Sequence, residues 1–207
     1  MEPELKRRYD NVRRAMAEHD LDALIVSGSE YTGFEGSVTY LSGFQIVHRY
    51  AYVVVPADGD PFVVFPTEAR YVGEHGRARI EQVFHDRPGE LIAARARDEG
   101  WRRVGVYGLD HVMSVRDHAA LAGLELVPFD EQFDLARAVK SDAELESVRE
   151  SVRINEDGFD AFHAAYRPGR PAAEAMAVAE RLFVERGCGR LTMNMVLTGP
   201  EFGIARK

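Results

Sequence analysis

The sequence predicts an α/β protein whose sheet is mixed in direction, followed by a shorter and mostly helical segment. Three observations carry that expectation. β-Branched runs alternate with helical stretches as far as Phe129. Two of those runs flank PADGDP, the signature of a hairpin and so of an antiparallel pair within the sheet. A sharply written helix start, KSDAELE, then opens the second segment after a polar connector.

The elements follow in order. Leu5, Tyr9, Val12 and Met16 recur at spacings of four, three and four, which makes residues 4–19 an amphipathic helix. LDALIVSG then reads as a buried strand ending at Gly28. VTYLSGF (38–44) reads as another, on its β-branched and aromatic content. AYVVVPADGDPFVVFP (51–66) supplies two strands and their turn, with Asp-Gly expected to provide the positive φ angles. RIEQVF (79–84), RVGVYG (103–108) and LELVPF (124–129) complete the strand set. Helices are expected at about 68–76, 88–99 and 113–122.

Residues 130–140, DEQFDLARAVK, read as a polar connector, and a domain junction is expected between Phe129 and Ser141. Ser141 and Glu144 form a capping box: the serine oxygen accepts from the N3 amide and the glutamate reaches back to the serine amide. Leu145, Val148, Val152, Phe159 and Phe162 mark one face of the long helix that follows, and Pro168 and Gly169 end it. A second helix is expected over 171–187, with Ala172, Met176, Ala179 and Phe183 on one stripe. RLTMNMVLTGP then gives one more strand at 190–198. Two helices and one strand cannot cover all of these stripes, so this segment is expected to expose apolar surface.

Composition narrows the function. The chain has 45% hydrophobic and 29% charged residues and a mean hydropathy of -0.28, a soluble globular profile. No apolar run approaches the ~20 residues that cross a bilayer, and no signal-peptide core follows the charged N-terminus. A net charge of -8, from 34 acidic and 26 basic residues, argues against nucleic-acid binding. Cys188 is the single cysteine, which excludes a disulfide framework and a thiolate metal cluster. A cytoplasmic location, away from membranes, is the default expectation from these features.

Few motifs carry chemistry. Gly28 and Gly33 have the outer spacing of a phosphate-binding P-loop, but Phe34 and Glu35 stand where Lys and Ser or Thr are needed. The seven histidines include no metal-binding helix motif, and no nucleophile elbow is present. Glu74, His75, His85 and Asp86 read as surface residues flanking an edge strand rather than a metal cluster. Asp157 and Asp160 share a helix face as solvated charges, and Cys188 sits between two glycines as a tolerated small residue. His48 and Arg49 precede a strand at a loop that can face a cleft, and they are the candidate ligand-contacting residues.

Taken in order, RRYDNVRRAMAEHDLDALIVSG, VTYLSGF and YAYVVVPADGDPFVVFP resemble the N-terminal domain of the creatinase/aminopeptidase P/prolidase family. ARAVKSDAELESVRES, INEDGFDAF and GRPAAEAMAVAERLFVERG resemble the opening of that family's catalytic pita-bread domain. The resemblance implies a creatinase-like domain over 1–135 and, over 136–207, the incomplete start of an α+β pita-bread domain. It also implies a C–N hydrolase as the parent protein, an Xaa-Pro aminopeptidase or dipeptidase acting on proline-containing peptides. Such peptidases use two divalent metals, Mn or Co, on two Asp, one His and two Glu of later strands; the paired metals activate a water and polarise the scissile carbonyl.

None of those positions matches a residue of this sequence, so the resemblance carries over no catalytic residue and no metal ligand. The chain alone is therefore expected to be inactive. Its expected partner is a second copy in a homodimer or a missing C-terminal segment. The alternatives are a non-catalytic dimerisation or regulatory module, or a fragment of a creatinase-like, metal-independent amidinohydrolase or of an ectoine-hydrolase-like enzyme.

Overall fold

In the computed structural model, residues 3–30, 34–46, 49–66, 79–188 and 191 are described. The chain forms two compact units, Met1–Val139 and Lys140–Lys207. The helix expected at 68–76 and, Leu191 apart, the strand expected at 190–198 lie outside the described residues.

The first unit is built on a six-stranded sheet. Its strands are β1 (Ala23–Ser29), β2 (Tyr50–Pro56), β3 (Phe62–Phe65), β4 (Glu81–Phe84), β5 (Arg103–Tyr107) and β6 (Glu125–Pro128). They lie in the order β4-β3-β2-β1-β5-β6. Only β2 runs against its neighbours, pairing antiparallel with β1 and β3. The other pairs are parallel. The fold is thus the mixed α/β sheet expected from the sequence.

The period of two sorts side chains to the two faces. Leu24, Val26, Val53 and Val55 point to one face, Ala23, Ile25, Tyr52 and Val54 to the other. The first face is covered by helix α1 (Pro3–Ala17), whose buried residues are Leu5, Tyr9, Val12 and Met16, the stripe read from the sequence. The Tyr9 hydroxyl donates to the Leu41 carbonyl, so the one polar atom of that stripe is satisfied. The second face is covered by α3 (Pro88–Glu99) through Ile92, Ala93 and Ala96. Leu121, just beyond α4 (Val115–Ala120), joins the same cluster.

Three local expectations are corrected. Residues 38–44 are not a strand: α2 (Glu35–Ser42) occupies that stretch and ends at Gly43 with φ 72°. Val38 and Leu41, three apart, both bury completely against the sheet, which a strand would send to opposite sides. Thr39 Oγ1 and Ser42 Oγ donate back to the Glu35 and Val38 carbonyls, so the residues that favour a strand are absorbed by the helix. Residues 130–136 are not part of an irregular connector but form α5 (Asp130–Ala136), because Phe133 is fully buried in the first core. In the hairpin turn only Gly59 takes a positive φ, 111°; Asp58 does not.

The second unit contains α6 (Asp142–Ala165) and α7 (Ala172–Glu185). The capping box is present: Glu144 N donates to Ser141 Oγ at 3.1 Å and Ser141 N to Glu144 Oε2 at 2.9 Å. The helices meet through Ile154 and Gly158 on one side and Ala175 and Ala179 on the other. Gly158 is required there, since a Cβ would lie 2.2 Å from a Phe183 ring carbon. The stripe that the sequence marks on α6 is a different face, and it stays exposed at Leu145, Val148, Val152 and Phe159.

Candidate functional site

Because β2 alone is reversed, the carboxyl ends of the other five strands share one edge of the sheet with the start of β2. The chain moves one way from β1 to reach β2, β3 and β4, then resumes at β5 on the far side of β1. In α/β sheets such a reversal often opens a ligand crevice beyond the strand ends. Here aromatic rings gather. The Phe34 ring lies 5.3 Å from the Tyr107 ring and 5.8 Å from that of His111. A Cβ on Gly28 would come within 2.6 Å of Val38 Cγ2, so the end of β1 runs directly beneath α2.

Arg49 stands at this edge. It is exposed and has a left-handed backbone, φ 66°, a conformation uncommon for a residue with a Cβ. Its amide donates to Glu30 Oε1 and its carbonyl accepts from the Glu30 amide, both at 3.3 Å. His48 lies outside the described residues.

The most elaborate polar arrangement at the edge was not foreseen. Asp117 is only 1% exposed. Its Oδ2 accepts from the hydroxyls of Tyr50 at 2.9 Å, Tyr52 at 3.0 Å and Ser114 at 2.7 Å. Its Oδ1 accepts from the Gly89 amide at 2.9 Å. Gly89 must be glycine, because a Cβ would fall 2.6 Å from the Asp117 Cα. Ser114 also caps α4, its Oγ accepting from the Asp117 amide at 3.1 Å.

One carboxylate therefore ties β2, the first turn of α3 and the cap of α4 together. Burial foremost, then the Asp117 charge, pushes both tyrosine hydroxyls above their ordinary pKa. They remain protonated donors, suited to satisfying a buried anion and not to taking a proton. The sequence does hold a signal for this hub: Ser114 and Asp117 have the serine-x-x-acid spacing of a helix start.

The remaining candidates are dispersed. Glu74 and His75 lie outside the described residues. His85 Nδ1 sits 2.8 Å from the Arg87 carbonyl oxygen and accepts from the Arg87 amide at 3.1 Å, which commits it to a local turn. Asp157 pairs with Arg186 at 2.7 Å. Half-buried Cys188 follows the end of α7, its amide bonded to the Phe183 carbonyl at 2.9 Å. Between α1 and α5 runs an open groove of about 680 Å³, lined by Arg7, Arg14, Glu18, Glu131 and Leu135 among others. Its charges are mixed in sign and select no one ligand. Among the described residues no three His, Cys, Asp or Glu side chains come together as a metal-binding group, and no described helix is long and apolar enough to cross a membrane.

Residues 8–139 match the profile of the Creatinase/Prolidase N-terminal domain. Among solved structures, the X-Pro aminopeptidase from Thermotoga maritima MSB8 aligns with a TM-score of 0.71 at 16% identity, over 86% of this chain and 49% of that one. The Xaa-Pro dipeptidase from Bacillus anthracis aligns at 0.68 and 17% identity, over 88% and 50%. This chain spans about half the length of both proteins, and at such identities the likeness is one of fold. The N-terminal domain of the cytoplasmic peptidase PepQ from Mycobacterium tuberculosis H37Rv aligns at 0.50 with 26% identity, over 63% of this chain and 98% of that one. No curated protein matches the sequence significantly.

Proposed function

The chain belongs to the creatinase/prolidase N-terminal domain family, and on that premise we propose that it is the N-terminal portion of a C–N hydrolase, an Xaa-Pro aminopeptidase or dipeptidase. The observation that carries this reading is the combination of the family match with alignment onto about half of two Xaa-Pro peptidases. In this reading residues 1–135 are the creatinase-like domain and 136–207 open a pita-bread catalytic domain. A cytoplasmic location is proposed with it, in line with the cytoplasmic peptidase whose N-terminal domain aligns here.

Two divalent metals, Mn or Co, would activate water and polarise the peptide carbonyl in such an enzyme. The described residues do not fit that group, since their carboxylates and imidazoles do not converge. Asp117 is sealed by four donors, and Asp157 is engaged by Arg186. No metal ligand is therefore assigned to them. What the described part offers is a rigid wall: the Asp117 hub fixes the sheet edge from which Arg49, and His48 beside it in sequence, are proposed to approach the substrate.

The test is hydrolysis of Gly-Pro and longer Xaa-Pro peptides with Mn²⁺ or Co²⁺, by the 207-residue chain and by the longest product of its gene. The chain is expected to be inert, and the longer product to turn over until the metal is chelated. Chelator-sensitive turnover by the 207-residue chain, or a longer product inert toward these peptides, would overturn the reading.

A further inference from the structure

Arg49 holds a backbone conformation that its own side chain opposes. Among the described residues positive φ otherwise falls on six glycines and on Asp20, at 54°. Glycine has no Cβ to crowd the following carbonyl, and aspartate is among the few other residues that visit this region. Arginine at φ 66° has neither advantage. Its side chain is exposed, so packing into the core does not explain it. A side chain kept where glycine would fit without cost is the pattern expected of a residue in use.

The backbone around Arg49 is mounted from two directions. Tyr50, the next residue, begins β2, and its hydroxyl donates to Asp117 Oδ2 at 2.9 Å. Across the β1–β2 ladder, one residue beyond the Ser29–Tyr50 pair, Glu30 faces Arg49. The Glu30 amide donates to the Arg49 carbonyl at 3.3 Å, as one half of an antiparallel pair does. The Arg49 amide donates to the Glu30 side chain at Oε1, also at 3.3 Å. A side-chain oxygen thus serves an amide that a regular ladder would pair with a main-chain carbonyl. Glu30 is half-buried just past the end of β1, so that oxygen is delivered from the sheet itself.

We infer that Glu30 is a positioning residue: its carboxylate holds the left-handed backbone at residue 49 and through it aims the Arg49 guanidinium at the substrate. The inference rests on the peptidase reading, in which Arg49 approaches the substrate from this edge.

Steady-state hydrolysis of Xaa-Pro peptides by the longest product of the gene tests it, with the thermal midpoint of each variant recording whether the fold is kept. Glu30→Ala should raise KM about tenfold and leave kcat within about twofold, the mark of binding lost equally from ground and transition states. Glu30→Gln keeps the acceptor oxygen and should bring KM back to within about twofold of the parent. Arg49→Gly removes the guanidinium and the strain together and should raise KM by about tenfold or more. Because Glu30 acts through Arg49, Glu30→Ala combined with Arg49→Gly should be no worse than Arg49→Gly alone. A parental KM in Glu30→Ala, a Glu30→Gln as weak as Glu30→Ala, or losses that multiply in the double variant would overturn the inference. So would a fall in kcat that tracks a lowered thermal midpoint, the result of a merely structural role. A longer product inert toward these peptides overturns the peptidase reading itself, and this inference with it, before any variant is compared.

Discussion

The two units handle their apolar residues in opposite ways. In the first, α1 and α2 cover one face of the sheet and α3 the other, so β1 and β2 are buried almost throughout. In the second, two helices bury Ile154, Gly158, Ala175 and Ala179 between them and leave a full stripe of α6 in solvent. A sheet has two faces that helices can cover, whereas a helix pair has one shared seam, and any further stripe needs a further partner. The contrast teaches that a clear helix start does not by itself guarantee a closed core.

The largest effect expected to test this contrast is Phe133→Ala. Phe133 is fully buried in the first unit, and its loss should cost about 3–5 kcal/mol, as for other large core truncations. Val148→Ala, at 51% exposure on α6, should stay within about 0.5 kcal/mol in the monomer. Trp101 is the single tryptophan, is 8% exposed and lies in the first unit, so its fluorescence during denaturation reads the Phe133 variant, while the loss of helical circular dichroism that Trp101 does not follow reads the Val148 variant. Comparable losses for the two variants would break the comparison.

Next in size is the polar hub, which has no counterpart among the described residues of the second unit. Asp117→Ala should cost about 3 kcal/mol by leaving the Tyr52 hydroxyl and the Gly89 amide buried without an acceptor. Asp117→Asn keeps one acceptor oxygen and should cost about half as much. Urea denaturation read by Trp101 measures both. Equal losses would show that the charge, and not the number of acceptors, holds the three elements together.

The smallest effect is on pH dependence. The Tyr9 and Tyr52 hydroxyls are raised in pKa, in each case chiefly by burial. The folded first unit therefore holds those protons more tightly than the unfolded chain. The resulting stability is fully present below about pH 10, the ordinary tyrosine value, and is lost as pH rises above it. Denaturation midpoints read by Trp101 should be flat near pH 9 and fall above pH 10, and Tyr52→Phe should make the fall shallower. A Tyr52→Phe chain with an unchanged slope would remove Tyr52 from this account.

Much of the scaffold was legible because its signals are local. The α1 stripe needs only the helical period, the hairpin only two β-branched runs around a turn, and the α6 start only Ser141 and Glu144. The misread elements were those in which a short signal competed with a distant surface. VTYLSGF carries strand-forming residues, yet Val38 and Leu41 find the sheet only from a helix. DEQFDLA looks polar, yet one phenylalanine reaches the first core.

The candidate site divides the same way. Arg49 drew notice from its place before a strand, whereas the Asp117 hub joins residues 50, 52, 89, 114 and 117, of which only the last two signal one another in sequence. By itself, the sequence determined the mixed α/β class, the stripe of α1 and the capped start of α6, because periodicity and capping act within a few residues. Only the tertiary structure decided that Phe34 meets Tyr107 and His111 at the end of the sheet, that Gly89 must admit a carboxylate, and that α6 turns Gly158 and not its richest apolar face toward α7. Those outcomes depend on which surfaces meet, and contacts between residues far apart in the chain leave no period to read.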